Sequence, residues 1–143
     1  MSTENKFPIR IPFFASVIGS IEEPGVMGKD WYGLPVSTYE VKTIAAGEML
    51  VVKHVSAGVV RGNVPYPTEN INDLGEIGFI ADNGDRCSHL LPFTRKEPGA
   101  LLFTSQSICL YVPSNAILFV SVPLIGDQSG GAKIDVSGYS VTT

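Results

Sequence analysis

Three features of the sequence predict an all-β fold. From Val36 onward, short runs rich in Val, Ile, Leu, Phe, Tyr and Thr are separated by clusters of Gly, Pro, Asn and Asp, the pattern of strands bounded by turns. No window keeps apolar residues at the helical i, i+3, i+4, i+7 spacing for long enough to predict a long helix. The chain has 143 residues, enough for one core, and a chain of this length buries roughly 68–70% of the surface its unfolded form exposes. The prediction is an antiparallel β-sandwich of jelly-roll type with about eight strands. It spans residues 36–143 and follows an extended N-terminal arm over residues 1–35.

The arm differs from the rest. Pro8, Pro12, Gly19, Pro24, Gly25, Gly28, Gly33 and Pro35 punctuate it, while Phe7, Ile9, Ile11, Phe13, Phe14, Val17, Ile18 and Trp31 keep it apolar. Disordered linkers lack bulky apolar residues, so this arm should lie against something, either its own domain or a neighbouring subunit. Phe7, Ile9, Ile11, Phe13 and Phe14 are the expected contacts with a neighbour.

Strands are then expected at Val36–Ile44, Glu48–Val60, Glu76–Ala81, Cys87–Thr94, Ala100–Phe103, Ser107–Val112, Ala116–Pro123 and Ala132–Val141. Ala45-Ala46-Gly47 breaks the first pair, and Asp82-Asn83-Gly84-Asp85 carries the Asn-Gly pair that suits the positive φ angles of a tight hairpin. Lys96-Glu97-Pro98-Gly99, Pro113-Ser114-Asn115 and Gly126–Gly131 supply further turns, and Arg61–Gly75 is the longest interior loop. In the second strand, strict alternation puts Leu50, Val52 and His54 on one face and Met49, Val51, Lys53 and Val55 on the other. Both faces are largely apolar, which predicts a central strand. The consecutive Ile117, Leu118, Phe119 and Val120 predict burial on both faces in the same way.

Composition narrows the function. Apolar residues make up 44% and charged residues 17%, against about 25% charged in an average globular protein, which leans towards contact with other protein copies. The net charge of −4 comes from scattered acids and bases, with no basic stripe to neutralise phosphates, so nucleic acid is not an expected partner. No apolar run approaches the ~20 residues of a membrane-spanning helix. The N-terminus lacks the basic and apolar regions of a signal peptide, so cytoplasmic synthesis is the expectation.

Catalytic motifs are sparse. His54 and His89 lie on different strands without an H-x-H pair or a closely following Glu, so no cupin-type metal site is expected. Cys87 and Cys109 show no C-x-x-C spacing, and the reading is two buried thiols, with a disulfide across a sheet as the alternative. There is no G-x-S-x-G elbow, and Gly126–Gly131 runs into a strand where a phosphate cradle needs a helix. A calcium role for Asp82, Asn83 and Asp85 lacks the EF-hand register. No catalytic residue, metal ligand or cofactor is assigned. Trp31, Tyr32 and Tyr66 sit among Gly and Pro, where an aromatic face can stack on a sugar ring or plug a partner's pocket; for Trp31 and Tyr32 the favoured reading is that they anchor the arm to the sheet, and for Tyr66 the two readings stand even.

The closing segment Ala132-Lys133-Ile134-Asp135-Val136-Ser137-Gly138-Tyr139-Ser140-Val141 resembles the last strand of jelly-roll domains of the complement C1q and tumour-necrosis-factor type, which often end on a Ser-Gly-aromatic sequence. Ser107-Ile108-Cys109-Leu110-Tyr111 followed by Ile117–Val122 is similar to small bacterial and phage jelly-roll modules. The resemblance implies a sandwich that packs as a trimer around apolar strand faces, and it carries over no functional residue. The expected function is a non-enzymatic, self-assembling structural protein, such as a phage or virus decoration, cement or fibre component. A carbohydrate-binding module is the alternative, with a glycan as partner, and a cupin-like enzyme is disfavoured by the histidine count.

Overall fold

The computed structural model describes residues 9–19, 26–29, 35–60, 74–96, 101–123 and 131–142. These residues form ten strands and no helix: β1 (Arg10–Gly19), β2 (Val26–Lys29), β3 (Pro35–Thr43), β4 (Glu48–Val60), β5 (Leu74–Ile80), β6 (Arg86–Pro92), β7 (Thr94–Lys96), β8 (Leu101–Val112), β9 (Ile117–Pro123) and β10 (Gly131–Thr142). They build a β-sandwich of two antiparallel five-stranded sheets, sheet A in the order β1-β10-β4-β8-β7 and sheet B in the order β2-β3-β9-β5-β6. Four pairings are nested, β1 with β10, β3 with β9, β4 with β8 and β5 with β6, and the β10–β4 and β5–β9 ladders join them into the two sheets.

One core lies between the sheets. Sheet A contributes Leu50, Val52, Val55, Ala57, Leu110 and Ile134 among others, and sheet B contributes Ile77, Leu91, Leu118 and Val120. Each such side chain, fully buried, contributes roughly 1.5–3 kcal/mol. β4, expected to be central, lies between β10 and β8; β9, expected to be buried on both faces within the sandwich or at a subunit contact, lies between β3 and β5 with Leu118, Phe119 and Val120 all buried.

The turns follow their sequence chemistry. Gly84 adopts φ 90° in the β5–β6 hairpin, where Ala81 N donates to Asp85 O at 2.7 Å and Asp85 N to the Asn83 side chain at 3.0 Å. Gly47 has φ 80° and Asn115 φ 65°. The loops holding these two residues meet, because Ile44 N donates to Ala116 O and Asn115 N to Ile44 O, both at 2.9 Å.

Four expectations need correction. The expected strand Cys87–Thr94 is two strands, because the chain passes at buried Phe93 from β6 in sheet B to β7 in sheet A. Ala100–Phe103 and Ser107–Val112 are one strand, β8, since β4 pairs with it continuously through the polar Thr104, Ser105 and Gln106. The strict alternation assigned to β4 fails at Lys53: Ser137 opposes His54 while Gly138 opposes Val52, so Lys53 is a bulge and the faces exchange beyond it. Val55 and Ala57 thereby join Leu50 and Val52 in the core, and His54 faces outward with Val51. Finally, residues 10–19 are not an arm beside the sandwich but strand β1, paired with β10 from Arg10↔Val141 to Gly19↔Ala132.

Candidate interaction surface

The alternation along β1 decides what each of its residues does. Phe13 and Val17 pack against the core, while Phe14, Ser16 and Ile18 face out. Phe13 is thus held by its own domain and carries the ammonium of Lys42 at 5.3 Å from its ring centroid, so its expected contact with a neighbour is corrected. Phe14 stays 69% exposed and Ile18 68%, and Ile9 and Ile11 are exposed as well. Phe7, Trp31, Tyr32 and Tyr66 lie outside the described residues.

Register extends this exposed row across the outer face of sheet A. Pro12 lies beside Tyr139, Tyr139 beside Val51, and Val51 beside Tyr111. Val51 is 1% exposed although it points away from the core. Tyr139 carries the guanidinium of Arg10 at 4.6 Å from its ring centroid, and Tyr111 is 58% exposed. A hydrogen bond with the Cys109 side chain and the charges of Cys109 and Tyr139 push the Tyr111 phenol above its ordinary value, against the pull of Arg10. Beyond Phe14 the next rows are polar: Phe14, Ser137, His54 and Ser107 in one, Ser16, Asp135, Ser56 and Ser105 in the other. His54 is satisfied there, its Nε2 lying 3.1 Å from Ser105 Oγ.

The outer face of sheet B holds a second polar group. Glu76 is 1% exposed and accepts a 2.8 Å hydrogen bond from Arg86 Nη2, while its Oε1 has no hydrogen-bond partner among the described residues. The same guanidinium stacks 4.5 Å from the Phe119 ring centroid. Beside Glu76 in register is Ser121, fully buried, whose hydroxyl lies 2.7 Å from Thr38 Oγ1. Hydroxyls and one ion pair hold this face together; the described residues contain no cluster of three or more His, Cys, Asp or Glu fit to hold a metal.

The remaining sequence candidates do not converge. His89 is on β6 of sheet B and His54 on β4 of sheet A. Cys87 and Cys109 are both free and exposed on different sheets, against the expectation of buried thiols. Asn83 and Asp85 spend their side chains on the hairpin, with Asn83 Nδ2 donating to Asp85 Oδ2 at 3.0 Å, and Asp82 is exposed in the same turn. Sequence reasoning missed Ile18, Tyr111 and the Glu76–Arg86 pair. Tyr111 had a signal, since Ser105, Ser107, Cys109 and Tyr111 alternate with Thr104, Ile108, Leu110 and Val112 along one strand. No family model matches the chain, and no curated protein does.

Proposed function

We propose that this protein is a non-enzymatic, self-assembling structural unit, of the kind that decorates, cements or forms fibres on a virus or phage particle. The observation that carries the reading is the exposure of large apolar side chains on and beside β1: Phe14 and Ile18 on the outer face of sheet A, which Tyr111 shares, and Ile9 and Ile11 at the start of the strand. A surface of this kind favours contact with protein. Of its charges, Arg10 stacks on Tyr139 and Lys133 lies 4.0 Å from Asp135, while Lys53 is exposed at the β4 bulge. The nested pairing of β1·β10, β3·β9, β4·β8 and β5·β6 supports a jelly-roll reading, and with it the three-copy packing that the sequence resemblance implies.

Sedimentation velocity and light scattering over a wide concentration range test the proposal. An assembled species is expected, with three chains as its smallest unit. A single-chain mass at every concentration would overturn the reading.

A further inference from the structure

Each sheet of an open sandwich ends in edge strands whose unpaired N–H and C=O groups invite another chain, and proteins guard them by shortness, charge, Pro or bulges. Among the described residues the edge strands are β1, β7, β2 and β6, and three of these four are guarded. β7 is three residues long and carries Arg95 and Lys96; β2 is four residues long and carries Lys29. β6 carries Arg86 and His89 and ends at Pro92. β1 is different: it runs for ten residues, RIPFFASVIG, and beyond Arg10 it has no charge. Its one guard is Pro12, near the start.

Pro12 also fixes how the edge is used. Having no N–H, it fits opposite Tyr139 where its nitrogen points away from β10, towards the free side. Alternation then directs the backbone groups of Phe14, Ser16 and Ile18 to that free side too, and their side chains face outward. From these placements we propose that a second copy of this chain adds to sheet A along β1, antiparallel, about a two-fold axis at Ser16. Ser16 then opposes its own equivalent, and Phe14 opposes Ile18 of the second copy. All three residues exchange both backbone bonds, about six in total. Each exposed Phe14 and Ile18 becomes a cross-strand apolar pair on the outer face. A register centred on Phe14 would set Pro12 opposite Ser16, losing a bond at each of those two pairs, and would set Ile18 opposite the charged Arg10 in place of the Phe14–Ile18 apolar pair. The contact is isologous and self-complementary, as a two-fold interface requires, and it merges two five-stranded sheets into one.

The proposal rests on the self-association in the preceding reading and adds to it the partner strand and the register. Together with a three-fold contact, a two-fold one links units into a larger array. Ser16→Pro removes an N–H that β10 does not use, and Ile18→Lys places a charge where Ile18 meets Phe14. Each is expected to weaken assembly by at least about tenfold in dissociation constant and to lower the assembled mass at least twofold, with an unchanged β-sheet circular dichroism spectrum. In a Cys87→Ser, Cys109→Ser background, Ser16→Cys is expected to crosslink two chains through a disulfide or a short bis-maleimide. Should Ser16→Pro fail to fold, Ile18→Lys and the crosslink decide. Assembly of unchanged mass in both variants, with no crosslink, would overturn the edge pairing and leave self-assembly standing. A single-chain mass for the unmodified protein would overturn both.

Discussion

Arg86→Met is expected to destabilise the fold by about 2–4 kcal/mol, although Arg86 is the more exposed partner of its ion pair. The Glu76 side chain is 1% exposed and that of Arg86 41%. Removing one partner of a buried pair costs roughly 3–5 kcal/mol, because a charge is left uncompensated. Water reaching the outer side of Arg86 lowers that range to the stated one. Met retains an apolar stem over Phe119 where the guanidinium now stacks at 4.5 Å, so the loss isolates the charge. Glu76→Met runs the other way. Arg86 can turn into solvent and the unpartnered Oε1 disappears, so this change is expected to cost no more than about 1 kcal/mol, the scale set by replacing a buried pair with apolar groups. The double variant should lie within about 1 kcal/mol of the unmodified protein, giving a coupling of about 2–4 kcal/mol. Urea unfolding at fixed protein concentration with a constant m-value measures all three, and melting should fall by about 2–4 °C per kcal/mol for a chain of this size. An Arg86→Met variant within about 0.5 kcal/mol of the parent, or a double variant as unstable as the two singles combined, would refute the argument.

Gly138→Ala is expected to destabilise by several kcal/mol or to shift the β10 register, because its Cβ would lie 1.9 Å from Val51 O at the bulge; hydrogen exchange of β10 amides distinguishes the two. Asn115 sits at φ 65°, so Asn115→Val should cost about 1–2 kcal/mol or more while Asn115→Gly is nearly neutral, measured by thermal melting. Burial raises the Tyr39 phenol above its ordinary value of 10.0. The unfolded chain therefore loses this proton first, and stability present below about pH 10 declines as pH rises through the folded value. Tyr39→Phe should flatten that decline in melts taken across the alkaline range.

How far the fold was legible depended on whether local pattern and tertiary pairing agreed. β4 was readable to its ends, Glu48–Val60, because turn residues bound a run that is apolar on both faces. Its faces beyond Lys53 were not, since a bulge reverses parity without a mark in composition. β1 was hidden by its own virtue: Phe13 and Val17 face in while Phe14 and Ile18 face out, so the alternation that announces a half-buried strand was erased. Pro12 argued further against a strand, yet it is tolerated at an edge. The passage at Phe93 between sheets leaves Thr94 as strand-like as Leu91, so nothing local divides β6 from β7. Of the candidate surface, the apolar character of residues 9–18 was visible, but the row Pro12, Tyr139, Val51 and Tyr111 comes from four strands far apart in the chain. Glu76 was only an acid in an apolar run; that Arg86 reaches it from the next strand is a product of the hairpin.

The pairing of β1 with β10 joins nearly opposite ends of the described chain, and that has a kinetic consequence. During synthesis β1 emerges before the other described strands, and its partner β10 after them. Long-range pairing of this sort slows folding towards the millisecond-to-second range. In that interval Phe13, Phe14, Val17 and Ile18 are unsatisfied on both edges of the segment, the condition in which nascent chains stick to one another. Slower translation or lower temperature at constant final stability should therefore raise the soluble yield, and a change that weakens β10 should lower it more than an equal loss in sheet B.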